Sequence, residues 1–432
     1  MTSLLVKNGI CVLPGRTVKA DIFLENGSIV EVGQVRQTAA QVIDAEGLHV
    51  LPGIIDSQVH FREPGLTHKE DLESGSKSAA LGGVTSFYEM PNTNPSTTTV
   101  LALRHKIEIA RRVSRVNFGF FIGATDSNLE ELIASQFVEH CVGIKIFLGS
   151  STGSLLLNDR KKLKEIFLRT KSPIAIHSED EEVLLKRLDI RNSATSAVSH
   201  PEWRNVESAL SSTKMIVELA RETNRKIHIL HITSKEEIEF LSAHKDLVTV
   251  EVLPQHLTLF SPDCYERLGN YAQMNPPIRT KDHQDGLWRG VLNEVVDVLG
   301  SDHAPHTKEE KDRPYPNSPS GMPGVQTMVP IMLNHVNQGR LTLERFVHMA
   351  STRPAQIYGK NKGRIGVGAD GDLTLVSMSK NHTITNGEQA TKSGWTPFAG
   401  MAVRGMPVYT IVMGQIVMAN GQLIEEGKPR SL

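Results

Sequence analysis

Cysteine is scarce in this chain. There are three in 432 residues, Cys11, Cys141 and Cys264, far apart and without ligand-like spacing. That excludes a disulfide-stapled scaffold or a thiolate metal centre and fits free thiols in a reducing cytosol. Charge of one sign is also lacking. The formal net charge is -1, so bulk electrostatics call for neither nucleic acid nor a membrane surface. No apolar run reaches the roughly 20 residues of a membrane span. The opening MTSLLVKNGICVLPG has no signal-peptide core followed by a small-residue cleavage site. These absences predict a soluble, cytoplasmic protein. No Gly-rich dinucleotide fingerprint follows a predicted strand, and no internal repeat or low-complexity tract is present, so nothing favours a nucleotide-binding or repeat fold.

What is present fits a large core domain with an appendage. Hydrophobic residues make up 39% and charged residues 22%, enough for a packed interior. Both ends are rich in short β runs. ADIFLENGSIVEVG brackets Asn26-Gly27, the preferred pair for a type I′ hairpin. GDLTLVSM and VYTIVMGQIVMANGQLI, with turns at Gly414 and Asn420-Gly421, mirror it near the other end. The expectation is one small discontinuous β-sandwich domain from residues 1–52 and 357–432. Between them, over 53–356, buried-strand runs (GVTSFYEM, VNFGFFIG, VGIKIFLG, SPIAIHSE, KIHILHIT, VTVEVLP, VVDVLGSDHA) alternate with helical patterns such as ESALSSTKMIVELARET and LTLERFVHMAST. This alternation predicts an α/β fold, a (β/α)8 TIM-type barrel, with a doubly wound sheet as the alternative. The polar, Pro- and Gly-rich segment 306–324 reads as a lid or as disorder, the lid favoured because it follows GSDHAPH directly.

Of the 17 histidines, several fall at predicted strand ends. Active sites of such barrels gather at the C-terminal ends of the strands. His60 follows GIIDSQV, His177 ends PIAI, His231 ends IHIL, Asp302 ends DVLGS, and Lys145 lies inside VGIKIFLG. A single histidine at a strand end is ordinarily a hydrogen-bonded structural residue. Three on three strands, with an aspartate on a fourth, form the ligand set of zinc or a similar divalent ion in a hydrolase. Lys145 has two readings: an ammonium snorkelling to the barrel mouth, or an amine buried between Ile144 and Ile146 that must be paired or neutralised. Carboxylation by CO2 would make it an anionic, two-oxygen ligand.

These motifs resemble the cyclic amidohydrolases, and within them the class I dihydroorotases. The matching text is HFREPG (60–65), KED (69–71), GGVTSFYEMPNTNP (82–95), GIKIFLGSSTG (143–153), HSED (177–180), LHITS (230–234), MNPPIR (274–279), GSDHAPH (300–306), GMPGVQT (321–327) and TRPAQIYG (352–359). The resemblance spans essentially the whole chain. It implies His60, Lys145 as N6-carboxylysine, His177, His231 and Asp302 as metal ligands, with Asp302 also the general acid/base. It implies Arg62 and Asn92, assisted by Asn275 and His306, as the clamp on a substrate carboxylate. The reaction implied is the reversible interconversion of N-carbamoyl-L-aspartate and (S)-dihydroorotate in pyrimidine biosynthesis. A small-molecule substrate, a homodimer and an association with aspartate transcarbamoylase all belong to this expectation.

The chain departs from that pattern at Gln58. The resemblance implies His-x-His on the first barrel strand, where residues i and i+2 face one side and reach one ion. A neutral amide oxygen is a poorer zinc ligand than imidazole. The site formed by positions 58, 60, 145 and 302 is therefore expected to bind weakly, and that formed by Lys145, His177 and His231 to keep one Zn2+. Gln255 stands where Pro-His-His-Leu is frequent. Two other functions stay open: a non-catalytic homologue acting as structural partner of aspartate transcarbamoylase, favoured by Gln58 and Gln255, and another cyclic amide hydrolase (hydantoinase or allantoinase), disfavoured by Arg62.

Overall fold

The short apolar runs close into a parallel barrel. The computed structural model describes residues 3–151 and 155–424. Thr152 and Gly153 of the 143–153 motif, and the outermost residues of the expected terminal domain, lie outside the described residues. Eight barrel strands run in chain order: β1 Ile54–Val59, β2 Val84–Glu89, β3 Asn117–Gly123, β4 Cys141–Phe147, β5 Ile174–His177, β6 Ile227–Ile229, β7 Val248–Val252 and β8 Val298–Leu299. Each pairs in parallel with the next. A parallel bridge between Val59 and His303 closes the ring, the His60 amide donating to the His303 carbonyl at 2.7 Å.

Strand periodicity decides what faces inward. Ile144 and Ile146 of β4, Ile174 and Ile176 of β5, and Ile227 and Ile229 of β6 join the core shared with the surrounding helices. Alternation then turns Lys145 and His177 into the barrel. The helices form for local reasons as well. Val206–Glu222 starts at Asn205, whose side chain accepts from the Ser208 amide, and buries Ala209, Thr213, Ile216, Val217 and Ala220 along one stripe. The expected helix over 341–352 is present as Leu343–Val347, capped by Thr342, continuing as a π turn over His348–Thr352.

Strands from both ends form one nine-stranded sheet, joined where His49–Pro52 pairs antiparallel with Leu373–Thr383. Its hairpins use the turns read from the sequence. Asn26 and Gly27 have φ of 50° and 85°, and Asn420 and Gly421 have φ of 53° and 80°, the left-handed pair of a type I′ turn. Between Leu373–Thr383 and Ala402–Val412 an irregular arm leaves this sheet and reaches the barrel mouth. There Thr391 hydrogen-bonds Glu70, and the Trp395 indole donates to the His306 carbonyl at 2.8 Å. No helix among the described residues is long and apolar enough to cross a membrane.

Segment 306–324 is a packed wall and not a loose flap. Thr307 and Glu310 cap the short helix Lys308–Lys311 reciprocally, and buried Lys311 donates to the carbonyls of Gln273, Pro319 and Gly321. Three carbonyl acceptors satisfy an ammonium that its sequence neighbourhood marks as surface-seeking.

The glycine ending HFREPG is required by packing. Gly65 has φ +88°, and a Cβ there would collide with the Asn94 carbonyl. The loop carrying Arg62 thus lies directly against the loop carrying Asn92. Gly65→Ala is expected to lower stability by about 2 kcal/mol or more, read as a lower denaturant midpoint at an unchanged m-value.

Candidate active site

At the C-terminal mouth of the barrel one small cavity gathers side chains from the ends of six strands. Its lining includes Gln58 of β1 with His60 and Arg62 just after it, Asn92 after β2, Lys145 and Phe147 of β4, His177 of β5, His231 after β6 and Asp302 after β8. Asn275 completes it from the segment before the helix Lys281–Leu292. His306 reaches it through Arg62, its Nε2 lying 3.3 Å from Arg62 Nη2. Every residue singled out in the sequence therefore stands at or against one cavity. Through Ser151, Asn275 and Ser320 it adjoins a vestibule of about 560 Å³. Three of its members, Arg62, His231 and Asp302, hold positive φ of 65°, 37° and 43°. Such backbone costs of order 1–3 kcal/mol per residue, and clusters where geometry serves a site.

Lys145 occupies the centre. It is 1% exposed, and its Nζ has no hydrogen-bond partner among the described residues. The ammonium lies 4.5 Å over the Phe147 ring. Burial pulls its pKa down to about 7, against smaller upward pulls from Asp302 and Glu251. The snorkelling alternative is thereby overturned: the strand turns this side chain into the barrel, away from the solvent its head would seek.

Two pairs of side chains flank the lysine. In the first, His177 Nδ1 faces His231 Nε2 at 3.1 Å. Burial pushes both imidazoles down, His231 well below the usual histidine range. His231 Nδ1 has no partner among the described residues. In the second, His60 Nε2 lies 3.0 Å from Asp302 Oδ1, and Gln58 Nε2 donates to the same oxygen at 3.0 Å. His60 Nδ1 faces Asn92 Oδ1 at 2.7 Å.

The donor set bears on a metal as follows. A tetrahedral ion with Zn–N bonds of about 2.0–2.1 Å holds two ligand nitrogens roughly 3.3 Å apart, close to the spacing of the His177–His231 pair. Among the described residues no three His, Cys, Asp or Glu side chains form a closed cluster. The amine of Lys145 lines the same cavity and is an electrostatic neighbour of His60, His177 and His231, so the chain's residues fit a divalent ion when that amine becomes an oxygen donor.

On the opposite wall Arg62 is 1% exposed and donates from Nε to the Pro305 carbonyl at 3.2 Å, while Nη1 has no partner among the described residues. Burial lowers its pKa to about 10, well above neutrality, so it stays charged. Lys69 Nζ lies 3.1 Å from His306 Nδ1. The lysine can only donate, so His306 carries its hydrogen on Nε2, 3.0 Å from the Ser320 carbonyl. Asn275 Oδ1 faces His200 Nε2 at 2.9 Å.

Sequence reasoning gave no role to several residues that hold this site. Lys69 stands in the quoted KED and Glu179 in HSED, but their partners are distant in the chain. Glu179 Oε2 accepts from His177 Nε2 at 2.8 Å and from Arg204 Nη2 at 2.6 Å. Burial would raise the Glu179 carboxyl, but Arg204 and His177 outweigh it and hold it well below the usual carboxylate range. Gln255 lies behind the mouth, its Nε2 donating to the Ser301 carbonyl at 2.7 Å, one residue before Asp302.

Comparison with known proteins decides the family. The model of the amidohydrolase family matches residues 49–417. The chain belongs to the amidohydrolase family. Curated relatives include the dihydroorotases of Methanothermobacter thermautotrophicus, 31% identical over 95% of this chain and 93% of the relative, and of Pyrococcus abyssi, 34% identical over 99% and 97%. Among solved structures, the amidohydrolase resembles L-hydantoinase (dihydropyrimidinase) from Arthrobacter aurescens, with a TM-score of 0.93 at 29% identity, covering 98% of both chains. Dihydropyrimidinase from Brevibacillus agri gives 0.90 at 27% identity, over 98% and 96%. This amidohydrolase is a hydrolase acting on a cyclic amide.

Proposed function

We propose that the chain is a dihydroorotase, interconverting N-carbamoyl-L-aspartate and (S)-dihydroorotate in pyrimidine biosynthesis. Arg62 carries the substrate choice: a buried guanidinium with Nη1 unpaired, lining the same cavity as Asp302. A desolvated cation is costly until an anion completes it, and its fork matches a planar carboxylate. Dihydroorotate brings a carboxylate; a neutral hydantoin ring does not. The names of the archaeal relatives support the same substrate.

In this reading His177, His231 and Lys145, as N6-carboxylysine, hold one Zn2+, and Lys145 with His60, Asp302 and Gln58 forms a weaker second site. When bound, the ion polarises the amide carbonyl and supplies hydroxide near neutral pH. Asp302 moves the proton. In the hydrolytic direction the water oxygen bonds to the ring carbonyl carbon, the ring C–N bond breaks, and Asp302 passes the proton to the departing nitrogen. Arg62 grips the substrate carboxylate, assisted by Asn92, Asn275 and His306. The amide oxygens of Asn92 and Asn275 already face His60 and His200, so these residues approach an anion with their amide N–H groups. Residues 53–356 form the catalytic barrel, and 1–52 with 357–432 the accessory β domain.

A second reading rests on Gln58. Its amide donates into Asp302, which withdraws electron density from the group that must take up a proton. A non-catalytic homologue serving as structural partner of aspartate transcarbamoylase would tolerate that. A turnover assay with dihydroorotate, with and without added zinc, separates the two: the dihydroorotase reading expects activity that chelation abolishes and zinc restores, and silence under both conditions favours the partner.

Arg62→Ala is expected to weaken carbamoyl-aspartate affinity roughly 10- to 100-fold, the worth of a lost hydrogen bond to a charged group, at unchanged zinc content. An unchanged affinity removes the clamp. Elemental analysis is expected to give about one tightly held zinc per chain, rising toward two in Gln58→His as imidazole replaces the amide.

A further inference from the structure

We propose that Glu179, held by Arg204, is a positioning residue that fixes the tautomer of His177 and thereby keeps its Nδ1 lone pair open toward the cavity. The inference rests on the reading of His177 and His231 as zinc ligands and adds what prepares one of them.

Glu179 follows β5 by two residues and is fully buried. Arg204, itself 2% exposed, donates to it from Nε at 3.0 and 3.1 Å and from Nη2 at 2.6 Å. The guanidinium is anchored in turn: its Nη2 donates to the Ser150 carbonyl at 2.6 Å, and the Arg204 carbonyl accepts from Arg279 Nη1 at 3.0 Å. A carboxylate paired in this way only accepts hydrogen bonds. The hydrogen between Glu179 Oε2 and His177 Nε2, 2.8 Å apart, therefore belongs to the imidazole. A neutral imidazole with its hydrogen on Nε2 keeps the lone pair on Nδ1, the atom that faces His231 Nε2.

Without Glu179 the preference is lost. A hydrogen on Nε2 would be buried without an acceptor, at about 1–3 kcal/mol. Moved to Nδ1, it finds His231 Nε2 at 3.1 Å, but His231 must then carry its own hydrogen on Nδ1, which has no partner among the described residues, so the two forms become comparable and the Nδ1 form is populated. The lone pair would then point away from the cavity, and an incoming cation would have to displace a proton first. Supporting carboxylates of this kind are worth 10- to 100-fold in metal affinity elsewhere.

The test uses the full chain and zinc alone. Removing Glu179 by itself would strand Arg204, so both partners change together: Glu179→Leu/Arg204→Met lacks an acceptor, whereas Glu179→Gln/Arg204→Met keeps an amide oxygen in its place. Nitrogen-15 NMR of the metal-free protein reads the His177 tautomer, and chelator competition reads zinc affinity. Wild type is expected to carry its hydrogen on Nε2. The leucine variant should show a mixture with the Nδ1 form and lose 10- to 100-fold in zinc affinity, and the glutamine variant should restore both toward wild type. A wild-type hydrogen on Nδ1 overturns the proposal whether or not either variant folds, as does a folded leucine variant with unchanged tautomer and affinity. A wild type that binds no zinc but carries its hydrogen on Nε2 overturns the metal reading and leaves the tautomer assignment standing.

Discussion

An unpartnered amine in the middle of a barrel is the constraint on which this structure turns. Lys145 sits on a strand whose neighbours Ile144 and Ile146 are committed to the outer core, so strand geometry leaves its side chain nowhere to point but inward. Its Nζ is buried, and among the described residues no carboxylate hydrogen-bonds it. The protein accepts that desolvation penalty and surrounds the amine with donors that gain from a group able to bind between them: two imidazoles on one side, an imidazole and a carboxylate on the other. Converted to a carbamate, the same atoms would change from an unsatisfied cation to a bridging anion. The dihydroorotase reading gives this arrangement a reason that a purely structural lysine does not have.

Around that centre the fold supplies rigidity from both of its layers. Closure of the barrel runs through the Val59–His303 bridge, placing the tips of β1 and β8 side by side, so that His60 and Asp302 meet although they are 242 residues apart. The terminal sheet contributes too. Its arm brings Trp395 to the His306 carbonyl and Thr391 to Glu70, while Glu70 also faces His303 Nε2 at 3.1 Å. The accessory layer thus steadies the residue that backs Arg62 and the one that closes the ring.

Much of this was legible in the sequence, because the information was local. Short apolar runs gave the buried strands, and the Asn-Gly pairs gave the hairpins. The rule that barrel strands end at the active site brought His60, His177, His231, Lys145 and Asp302 together. What remained hidden depended on partners far apart in the chain. Glu179 and Arg204 are 25 residues apart and Lys69 and His306 are 237 apart, and no pattern within either neighbourhood announces the other. Segment 306–324 reads as a lid or as disorder from a composition that is that of an exposed loop, and it is ordered against the cavity mouth, which it lines through Ser320 and Gly321. Lys311 escapes that rule by burying its ammonium among backbone carbonyls, which composition cannot display.

Gln58 makes the two halves of the site unequal, and the hydrogen bonds say in which direction. In the Gln58–His60–Asp302 half the side chains meet one another: Asp302 Oδ1 faces both Gln58 Nε2 and His60 Nε2, and His60 Nδ1 faces Asn92, while Gln58 Oε1 has no partner among the described residues. An ion entering there must break that network and would gain only an amide oxygen where an imidazole could have stood. The His177–His231 half is the reverse. Two ring nitrogens confront each other across 3.1 Å, His231 Nδ1 has no partner among the described residues, and the far nitrogen of His177 is backed by a carboxylate. A cation there displaces little and completes much. One half is tied by contacts among its own side chains and the other confronts two ring nitrogens, so Gln58 weighs on one side of the cavity and leaves the His177–His231 side untouched.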